Sequence, residues 1–316
     1  MPEGAAIRNT SSIRREHQIQ RRTIMNRPNF FIIGAPKAGT TSLYHYCAQH
    51  SDIFMCQPKE PAFFCTFDPD CHRRDVLDRS DKRWQQIFHF TLDEYLALFA
   101  DADTPVVGEA STAYLSNFFH TAPWIRKICP DAKVVAVLRE PIDRLLSDVN
   151  MQATLPAEYL KPGQRVDSLV DFLTRGTVLQ RPSIREFVQA LANKARLGTF
   201  GLRQRYQVRL GLYADAIRQF RKYFGDRLHV IKYDDLHARP EDSLRSLFDF
   251  LGVRPFLPAD MGRLNTAEEW QQRGATALLT KGDIHPSSLA LLRRFYRPDL
   301  EALQPLVPFS VADWLE

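Results

Sequence analysis

The sequence predicts an α/β protein with a P-loop-like, open parallel sheet flanked by helices. Three observations lead to this fold class. An apolar run of strand length at 30–33 is followed by a short loop and then by helical apolar spacing from Leu43. A second apolar run at 133–138 precedes Pro141, which suits the first turn of a helix. A third run at 228–233, again followed by a helical pattern, continues the alternation of strand and helix.

The loop after the first strand predicts an anion-binding site. Residues 34–43 read Gly-Ala-Pro-Lys-Ala-Gly-Thr-Thr-Ser-Leu. Backbone N–H groups of such a loop and the positive end of the following helix dipole attract a phosphate group. The hydroxyls of Thr40, Thr41 and Ser42 add hydrogen-bond donors, and Lys37 adds a full positive charge.

This loop differs from the nucleoside-triphosphate loop G-x-x-x-x-G-K-[ST] at one decisive position. Gly34 and Gly39 have the required spacing, but Thr40 stands where that motif has lysine. No apolar strand ends in an aspartate that convincingly supplies a magnesium ligand, so a metal-dependent phosphoryl transferase lacks two parts of its machinery. A nucleotide-dependent kinase of the P-loop class stays as an alternative, and so does an inactive nucleotide-binding scaffold protein.

A second pair of polar residues is expected at the same edge of the sheet. Arg139 ends the run at 133–138, and Ser147 lies about two turns into the following helix. Open α/β sheets bind ligands at the carboxyl ends of their strands, so both side chains can face the ligand of the first loop. A surface ion pair of Arg139 with Glu140 or Asp143 is the alternative interpretation.

These residues resemble the sulfotransferases that use 3′-phosphoadenosine 5′-phosphosulfate (PAPS). Residues 36–43 are similar to the phosphosulfate-binding loop of that family, and Arg139 with Ser147 is similar to its clamp on the donor 3′-phosphate. The resemblance implies the sulfotransferase fold, a PAPS-dependent enzyme and the product adenosine 3′,5′-bisphosphate (PAP). It assigns donor contacts to the loop residues Pro36, Lys37, Ala38, Gly39, Thr40, Thr41 and Ser42.

Two further segments extend the resemblance. Residues 59–64 read Lys-Glu-Pro-Ala-Phe-Phe, which is similar to a pattern of bacterial and heparan-type members whose glutamate is placed as general base. Lys281 and Gly282 match a loop that closes over the donor in heparan-type members, although Asp283 replaces an arginine there. The resemblance therefore implies Glu60 as the base, Lys37 as the catalytic cation, and no metal.

One segment departs from the family pattern Gly-Glu-Lys-[ST]-Pro-x-Tyr. The chain has Ala110 where the pattern has lysine and Thr112 where it has proline. A family role for that lysine is therefore not transferred to this chain. Some relatives also carry a histidine four residues after the clamp serine, where this chain has Met151, so no second base comes from that position.

Composition restricts the remaining possibilities. A formal net charge of +5 favours anionic ligands without implying nucleic acid. Five cysteines form no C-x-x-C pair, and no stretch reaches the apolar length of a bilayer span or of a secretory signal. We therefore expect a cytoplasmic protein with no membrane or nucleic-acid partner, a mobile basic tail over 1–27 and a single domain over 28–316. The acceptor is expected to be a carbohydrate or a small natural product, and oligomeric state is not indicated.

Overall fold

The computed structural model describes residues 27–67, 91–153, 167–177, 205–262 and 278–316. Five strands in these ranges form a sheet of order β2-β3-β1-β4-β5, and every pairing is parallel. The predicted open parallel sheet is thereby confirmed. The strands are β1 (Phe30–Gly34), β2 (Ile53–Met55), β3 (Val106–Ala110), β4 (Lys133–Leu138) and β5 (Leu228–Lys232).

Helices flank this sheet and account for most of the other described residues. They are α1 (Thr40–Ala48), α2 (Phe63–Thr66), α3 (Leu92–Ala97), α4 (Ala113–Ser116), α5 (Phe118–Ile128), α6 (Pro141–Ala153), α7 (Asp167–Arg175), α8 (Tyr206–Arg209), α9 (Ala214–Phe224), α10 (Tyr233–Ala238), α11 (Pro240–Leu251) and α12 (Pro286–Leu303). Short 3₁₀ turns lie at Gly225–Arg227, Lys281–Asp283, Gln304–Leu306 and Ala312–Trp314. Across the described ranges, none of these helices is long and apolar enough to span a membrane.

The central strand β1 explains why the sheet is parallel and covered on both faces. All five of its residues are buried, as expected for a strand that has helices above and below. Phe30 lies opposite Gly108 of β3 on one side and opposite Lys133 of β4 on the other. This position brings the carboxyl ends of β3 and β4 to either side of the loop that follows β1.

An aromatic cluster fills the core beneath β1 and β3. The ring of Phe64 contacts those of Phe31 and Tyr114 edge to face, with centroids 5.9 and 5.8 Å apart. Phe63 stacks on Tyr95 at a centroid distance of 4.2 Å. Because Phe63 and Phe64 follow the turn at 57–62, these contacts anchor that turn to the core.

Sequence patterns located most element starts within a few residues. Thr91 caps α3 through a capping box with Glu94, as its position before an apolar helical pattern predicts. Pro141 is the first residue of α6. The predicted tail lies outside the described residues apart from Arg27, whose Nη1 donates to the Ile128 carbonyl at 3.2 Å.

Candidate active site

A cavity of about 840 Å³ opens at the carboxyl edge of the sheet. Its wall combines segments that follow β1, β3, β4 and β5, which is where open α/β sheets bind ligands. The predicted site residues that line it are Pro36, Lys37, Gly39, Thr40, Thr41, Ser42, Glu60, Arg139, Ser147 and Lys281. Of the other two, Ala38 is buried in the core and Gly282 lies in the neighbouring 3₁₀ turn.

The loop after β1 has the backbone of an anion site. Lys37 has φ +64° and Gly39 has φ +78°, both in the left-handed region. Gly39 is the N-terminal cap of α1, and because glycine has no side chain, it makes no side-chain hydrogen bond to the N–H groups of the first turn. The N–H groups of such a helix N-terminus bind anions through hydrogen bonds and through the helix dipole.

Lys37 is the half-buried cation of this loop. Its Nζ lies 3.4 Å from the sulfur of Met151, at the position where some relatives have histidine. Burial lowers the pKa of Lys37 to about 8, the negative charge of Asp148 opposes this shift, and the positive charge of Arg139 adds to it. A bound anion would stabilise the protonated amine of Lys37 and so oppose the effect of burial on its pKa.

Arg139 joins the strand β4 to the loop after β1. Its Nη1 donates to the carbonyl of Lys37 at 3.1 Å, and its guanidinium carbon lies 4.6 Å from the centroid of the Tyr233 ring. The Tyr213 hydroxyl donates to the Arg139 carbonyl at 2.8 Å. Arg139 is thus held in the cavity wall, and Ser147 lines the same cavity from α6.

Lys281 pairs with the two carboxylates that were the alternative partners of Arg139. Its Nζ lies 3.2 Å from Glu140 and 3.1 Å from Asp143. The adjacent segment is tied to α6, because the Asn150 side chain exchanges two hydrogen bonds of 2.9 Å with the backbone of Leu279. Lys281 therefore lines the cavity while its positive charge is paired with the carboxylates of Glu140 and Asp143. Its role toward the donor stays a prediction.

Glu60 reaches the cavity from a turn that packs on the end of β3. Its N–H donates to the Ala110 carbonyl at 2.9 Å. Its carboxylate accepts from the N–H and the hydroxyl of Thr112, and Oε1 lies 2.7 Å from Lys59 Nζ. The side chain keeps 38% of its surface exposed, so an acceptor can approach it. The position of Glu60 was predictable from the sequence, whereas its contact with Thr112 was not.

A buried ionic network supports the back of α6 and was also missed. Arg144 is fully buried, and its Nη1 lies 3.1 Å from the carboxylate of Asp148, while Nη2 donates to the Gln207 carbonyl. Gln152 donates to Asp148 at 2.9 Å. The four-residue spacing of Arg144, Asp148 and Gln152 was the available signal, because such residues share one helix face.

His45 and Glu109 also carry side chains that can act as a general base. His45 is exposed on α1 and does not line the cavity. Glu109 is fully buried within β3, beside Tyr95 and Tyr114. Neither reaches the cavity wall as Glu60 does.

Fold and cavity together define an α/β protein with a P-loop-like anion site at the carboxyl edge of a parallel sheet. Residues 28–177 match the model of the sulfotransferase family. A solved sulfotransferase from Alicyclobacillus acidocaldarius is 26% identical and superposes with a TM-score of 0.61, over 92% of this chain and 99% of that chain. The chain is therefore similar to the sulfotransferase family over residues 28–177, and it shares the fold of a solved sulfotransferase over most of its length.

The carbohydrate and heparan sulfate sulfotransferases that the chain matches are longer proteins. Mouse carbohydrate sulfotransferase 15 is 23% identical over 309 residues, a match that covers 86% of this chain and 52% of that protein. Mouse heparan sulfate glucosamine 3-O-sulfotransferase 3B1 is 24% identical, with 86% of this chain and 61% of that protein covered. The chain thus spans about half to three fifths of the length of these relatives.

Proposed function

We propose that the chain transfers a sulfuryl group from PAPS to a hydroxyl or amine of a carbohydrate or small natural product. The observation that carries this proposal is the convergence of Lys37, Glu60, Arg139 and Ser147 on one cavity. These residues come from three separate segments of the chain. Together they supply a half-buried cation, an accessible carboxylate and a second cation with a neighbouring hydroxyl.

The residues of the cavity fit the charges of this donor. Lys37, the loop N–H groups and Thr41 would hold the phosphosulfate, and Arg139 with Ser147 would hold the 3′-phosphate. The ring of Tyr233 also lines the cavity and offers apolar surface to the adenine ring of the donor. Burial lowers the pKa of Lys37, and a bound phosphate would raise this pKa again, because a nearby negative charge favours the protonated amine.

The reaction needs an in-line acceptor, a base and a cation at the leaving group. The acceptor oxygen or nitrogen forms a bond to sulfur, the bond from sulfur to the 5′-phosphate oxygen breaks, and the acceptor proton moves to Glu60. Lys37 and the loop N–H groups stabilise the negative charge that develops on the leaving phosphate. Arg139 holds Lys37 through the carbonyl of that residue and so keeps the cation in place.

A carbohydrate acceptor is favoured by the names of the relatives, which act on carbohydrate and heparan sulfate. The described residues do not choose between a hydroxyl and an amine. Much of the arginine-rich segment at 155–210 lies outside the described residues. The cytoplasmic location and the independence from metal stay predictions.

Binding measurements separate this proposal from its alternatives. Isothermal titration calorimetry with PAP and with ATP plus Mg²⁺ measures which nucleotide the purified chain prefers. We expect binding of PAP and much weaker binding of ATP. A preference for ATP with Mg²⁺ would favour the kinase, and binding of neither would favour the scaffold protein.

Turnover then tests the reaction itself. The release of PAP from PAPS is followed with a panel of acceptors: a chondroitin oligosaccharide, a heparan-type oligosaccharide, glucosamine and 4-nitrophenol. We expect at least one acceptor to accelerate release above the rate with water alone. Release that no acceptor accelerates, together with tight binding of PAP, would argue against these acceptor classes.

The role of Glu60 predicts the behaviour of Glu60→Gln. This variant keeps the shape of the side chain, so its affinity for PAP should match the wild type. Its turnover should fall by a factor of roughly 10²–10⁴, the usual contribution of a positioned base. Glu301→Gln, an exposed position on α12, is the control. Equal losses of PAP affinity and turnover would instead assign Glu60 to holding the loop.

A further inference from the structure

The turn that carries Glu60 is fastened to the residues after β3. Glu60 has φ +63°, a left-handed conformation that is uncommon for a residue with a side chain. Its N–H donates to the Ala110 carbonyl at 2.9 Å, and the N–H of Ala62 donates to Ser111 Oγ at 3.0 Å. The backbone on both sides of Glu60 is thus held by the segment 110–112.

Thr112 extends this attachment to the carboxylate. Its N–H donates to Glu60 Oε2 at 3.0 Å. Its hydroxyl oxygen lies 3.2 Å from Oε1 and 3.0 Å from Oε2, and its single proton bonds to one of the two oxygens at a time. Both Thr112 and Glu60 line the cavity, so this contact lies in the proposed active site.

Without such donors a glutamate side chain would sample several rotamers. Hydrogen bonds to a charged carboxylate are stronger than neutral ones, and two donors from one residue restrict its orientation as well as its position. Lys59 also lies 2.7 Å from Oε1, but its flexible stem supplies a point charge with little directional constraint. The fixed orientation of Glu60 therefore comes mainly from Thr112.

We propose that Thr112 is a positioning residue, whose N–H and hydroxyl hold the Glu60 carboxylate in the orientation that receives the acceptor proton. The inference rests on the proposed function for the role of Glu60. Thr112 moves no proton itself. Its contribution is to keep the base aligned with an acceptor, since a misplacement of about 1 Å in an active site can cost 10²-fold in rate.

Three substitutions separate the contribution of the Thr112 N–H from that of the Thr112 hydroxyl. Thr112→Ser keeps both the N–H and the hydroxyl. Thr112→Val keeps the N–H and nearly the same shape but removes the hydroxyl. Thr112→Pro removes both and installs the residue of the family pattern, and the φ of −67° at this position already suits the proline ring. The expected loss is therefore specific to this chain, which also has Ala110 in place of the lysine of that pattern. Thr104→Val is the matched control, because this half-buried threonine precedes the same strand at its opposite end and its hydroxyl donates to the Val106 carbonyl at 2.8 Å.

The expected result is a loss of kcat with little change in PAP affinity. We expect kcat to fall about 3–10-fold in Thr112→Val and about 10²-fold in Thr112→Pro, with Thr112→Ser close to the wild type. The affinity for PAP, measured by calorimetry, should stay within about twofold, because the contacts of Thr112 are with Glu60. Wild-type kcat in both Thr112→Val and Thr112→Pro would overturn the proposal.

A double-mutant cycle tests whether Thr112 acts through Glu60. In the Glu60→Gln background the base is absent, so Thr112→Val should cause no further loss of kcat. A general effect on folding would instead multiply with the effect of Glu60→Gln. Multiplicative losses in the double variant would therefore overturn the positioning role even if each single variant were slow.

Crystal structures with bound PAP give a readout that does not depend on the acceptor. In Thr112→Pro the Glu60 carboxylate should leave its wild-type orientation, and in Thr112→Ser it should keep it. An unchanged carboxylate in Thr112→Pro would overturn the proposal, whatever the activity. By contrast, a wild-type chain that neither binds PAP nor releases it from PAPS would overturn the proposed function, which is a different outcome.

Discussion

The amine of Lys37 gives the donor site a predicted pH dependence. Burial lowers the pKa of Lys37 to about 8, so the amine is protonated below this pH and increasingly neutral above it. If the protonated form binds the donor phosphate, the affinity for PAP should fall by up to about tenfold per pH unit above pH 8. Calorimetry at pH 7, 8 and 9 measures this fall.

The same experiment contains its own check. At pH 9 the complex should take up a proton, so the apparent binding enthalpy should depend on the ionisation enthalpy of the buffer. Lys37→Gln should abolish the proton uptake, whereas Lys222→Gln, an exposed position on α9, should keep it. An affinity for PAP that is constant from pH 7 to 9 would remove Lys37 from the donor contacts.

Arg139 and Ser147 are expected to contribute unequally. Arg139→Ala removes a cation that also bonds to the Lys37 carbonyl, and Ser147→Ala removes a neutral hydroxyl. Charge-assisted hydrogen bonds are stronger than neutral ones, so Arg139→Ala should weaken PAP binding by roughly 10–100-fold more than Ser147→Ala. Adenosine 5′-monophosphate, which lacks the 3′-phosphate, should show a much smaller difference, which reflects only the contact of Arg139 with the Lys37 carbonyl.

Arg218→Ala is the control for the loss of an arginine, because Arg218 pairs with Asp215 on the exposed face of α9. If Arg139→Ala bound PAP as tightly as this control, the proposed clamp would be wrong.

At this scale the sequence predicted which side chains reach the cavity better than it predicted their partners. Arg139 was predictable because it ends an apolar strand. Its contact with Tyr233 and the pairing of Lys281 with Glu140 were not, because they join segments that are distant in the chain. The contact of Thr112 with Glu60 depends in the same way on how one turn packs on the end of β3.

At the scale of elements, the junction of β1 and α1 depends on Gly39. Its φ of +78° disfavours a side chain, and an added Cβ would lie 3.1 Å from the ring of Tyr233. Gly252 has the same φ, but its Cβ would meet only the end of the Lys133 side chain, at 3.7 Å. Gly252→Ala should therefore lose about 1 kcal/mol of stability from the backbone alone.

Gly39→Ala should lose more, because Tyr233 must also move. Since Tyr233 lines the cavity and contacts Arg139, this variant should weaken PAP binding while Gly252→Ala should not. Chemical denaturation and calorimetry measure the two effects. Equal stabilities and equal PAP affinities of the two variants would show that the approach of Tyr233 to Gly39 is unimportant.

The elements themselves were largely predictable, because period and capping residues are local. Apolar runs located the strands, and Thr91 and Pro141 marked helix starts. The apolar spacing of the last long helix begins at Leu289, but α12 begins earlier, at Pro286, where His285 supplies the N-terminal cap through its side chain. Histidine is not among the preferred capping residues, but Pro286 in the first turn was an available signal of the same kind as Pro141.

For the molecule as a whole, the buried carboxyl of Glu109 should make stability depend on pH. Burial raises the pKa of Glu109 to about 8, and the adjacent hydroxyls of Tyr114 and Tyr95 partly oppose this rise. An unfolded glutamate loses its proton near pH 4.5, whereas the folded protein holds it until about pH 8. The folded state therefore binds more protons in this interval, and its stability falls as pH rises.

Glu109→Gln should remove this dependence. Relative to the wild type, the variant should gain stability between pH 5 and 8, on the order of a few kcal/mol, with no further gain above pH 8. Urea denaturation at pH 5, 6.5 and 8 measures the difference, with Glu301→Gln as the surface control. A difference between Glu109→Gln and wild type that stays constant over this range would show that Glu109 is charged in the folded protein.

The class of the whole fold could be predicted, but the order of its strands could not. Apolar runs show that strands are buried on both faces, which favours a parallel sheet. They do not show which strands are neighbours, because the order β2-β3-β1-β4-β5 depends on packing between distant segments. The acceptor was not predictable for a related reason, since it contacts side chains that only tertiary structure brings together.

The central position of β1 also has a consequence for how the chain folds. Phe30 pairs with Gly108 and Lys133, so β1 cannot be enclosed until both later strands have formed. Bringing β3 and β4 next to β1 closes long loops, and this loss of chain entropy precedes the stabilising strand contacts, which slows folding. The loop after β1 lies early in the chain, but the carbonyl of Lys37 in this loop accepts a hydrogen bond from Arg139, which follows β4. This hydrogen bond can form only after β4 has been synthesised. During synthesis, the ability to bind nucleotide should therefore emerge late, after β4 has joined the sheet.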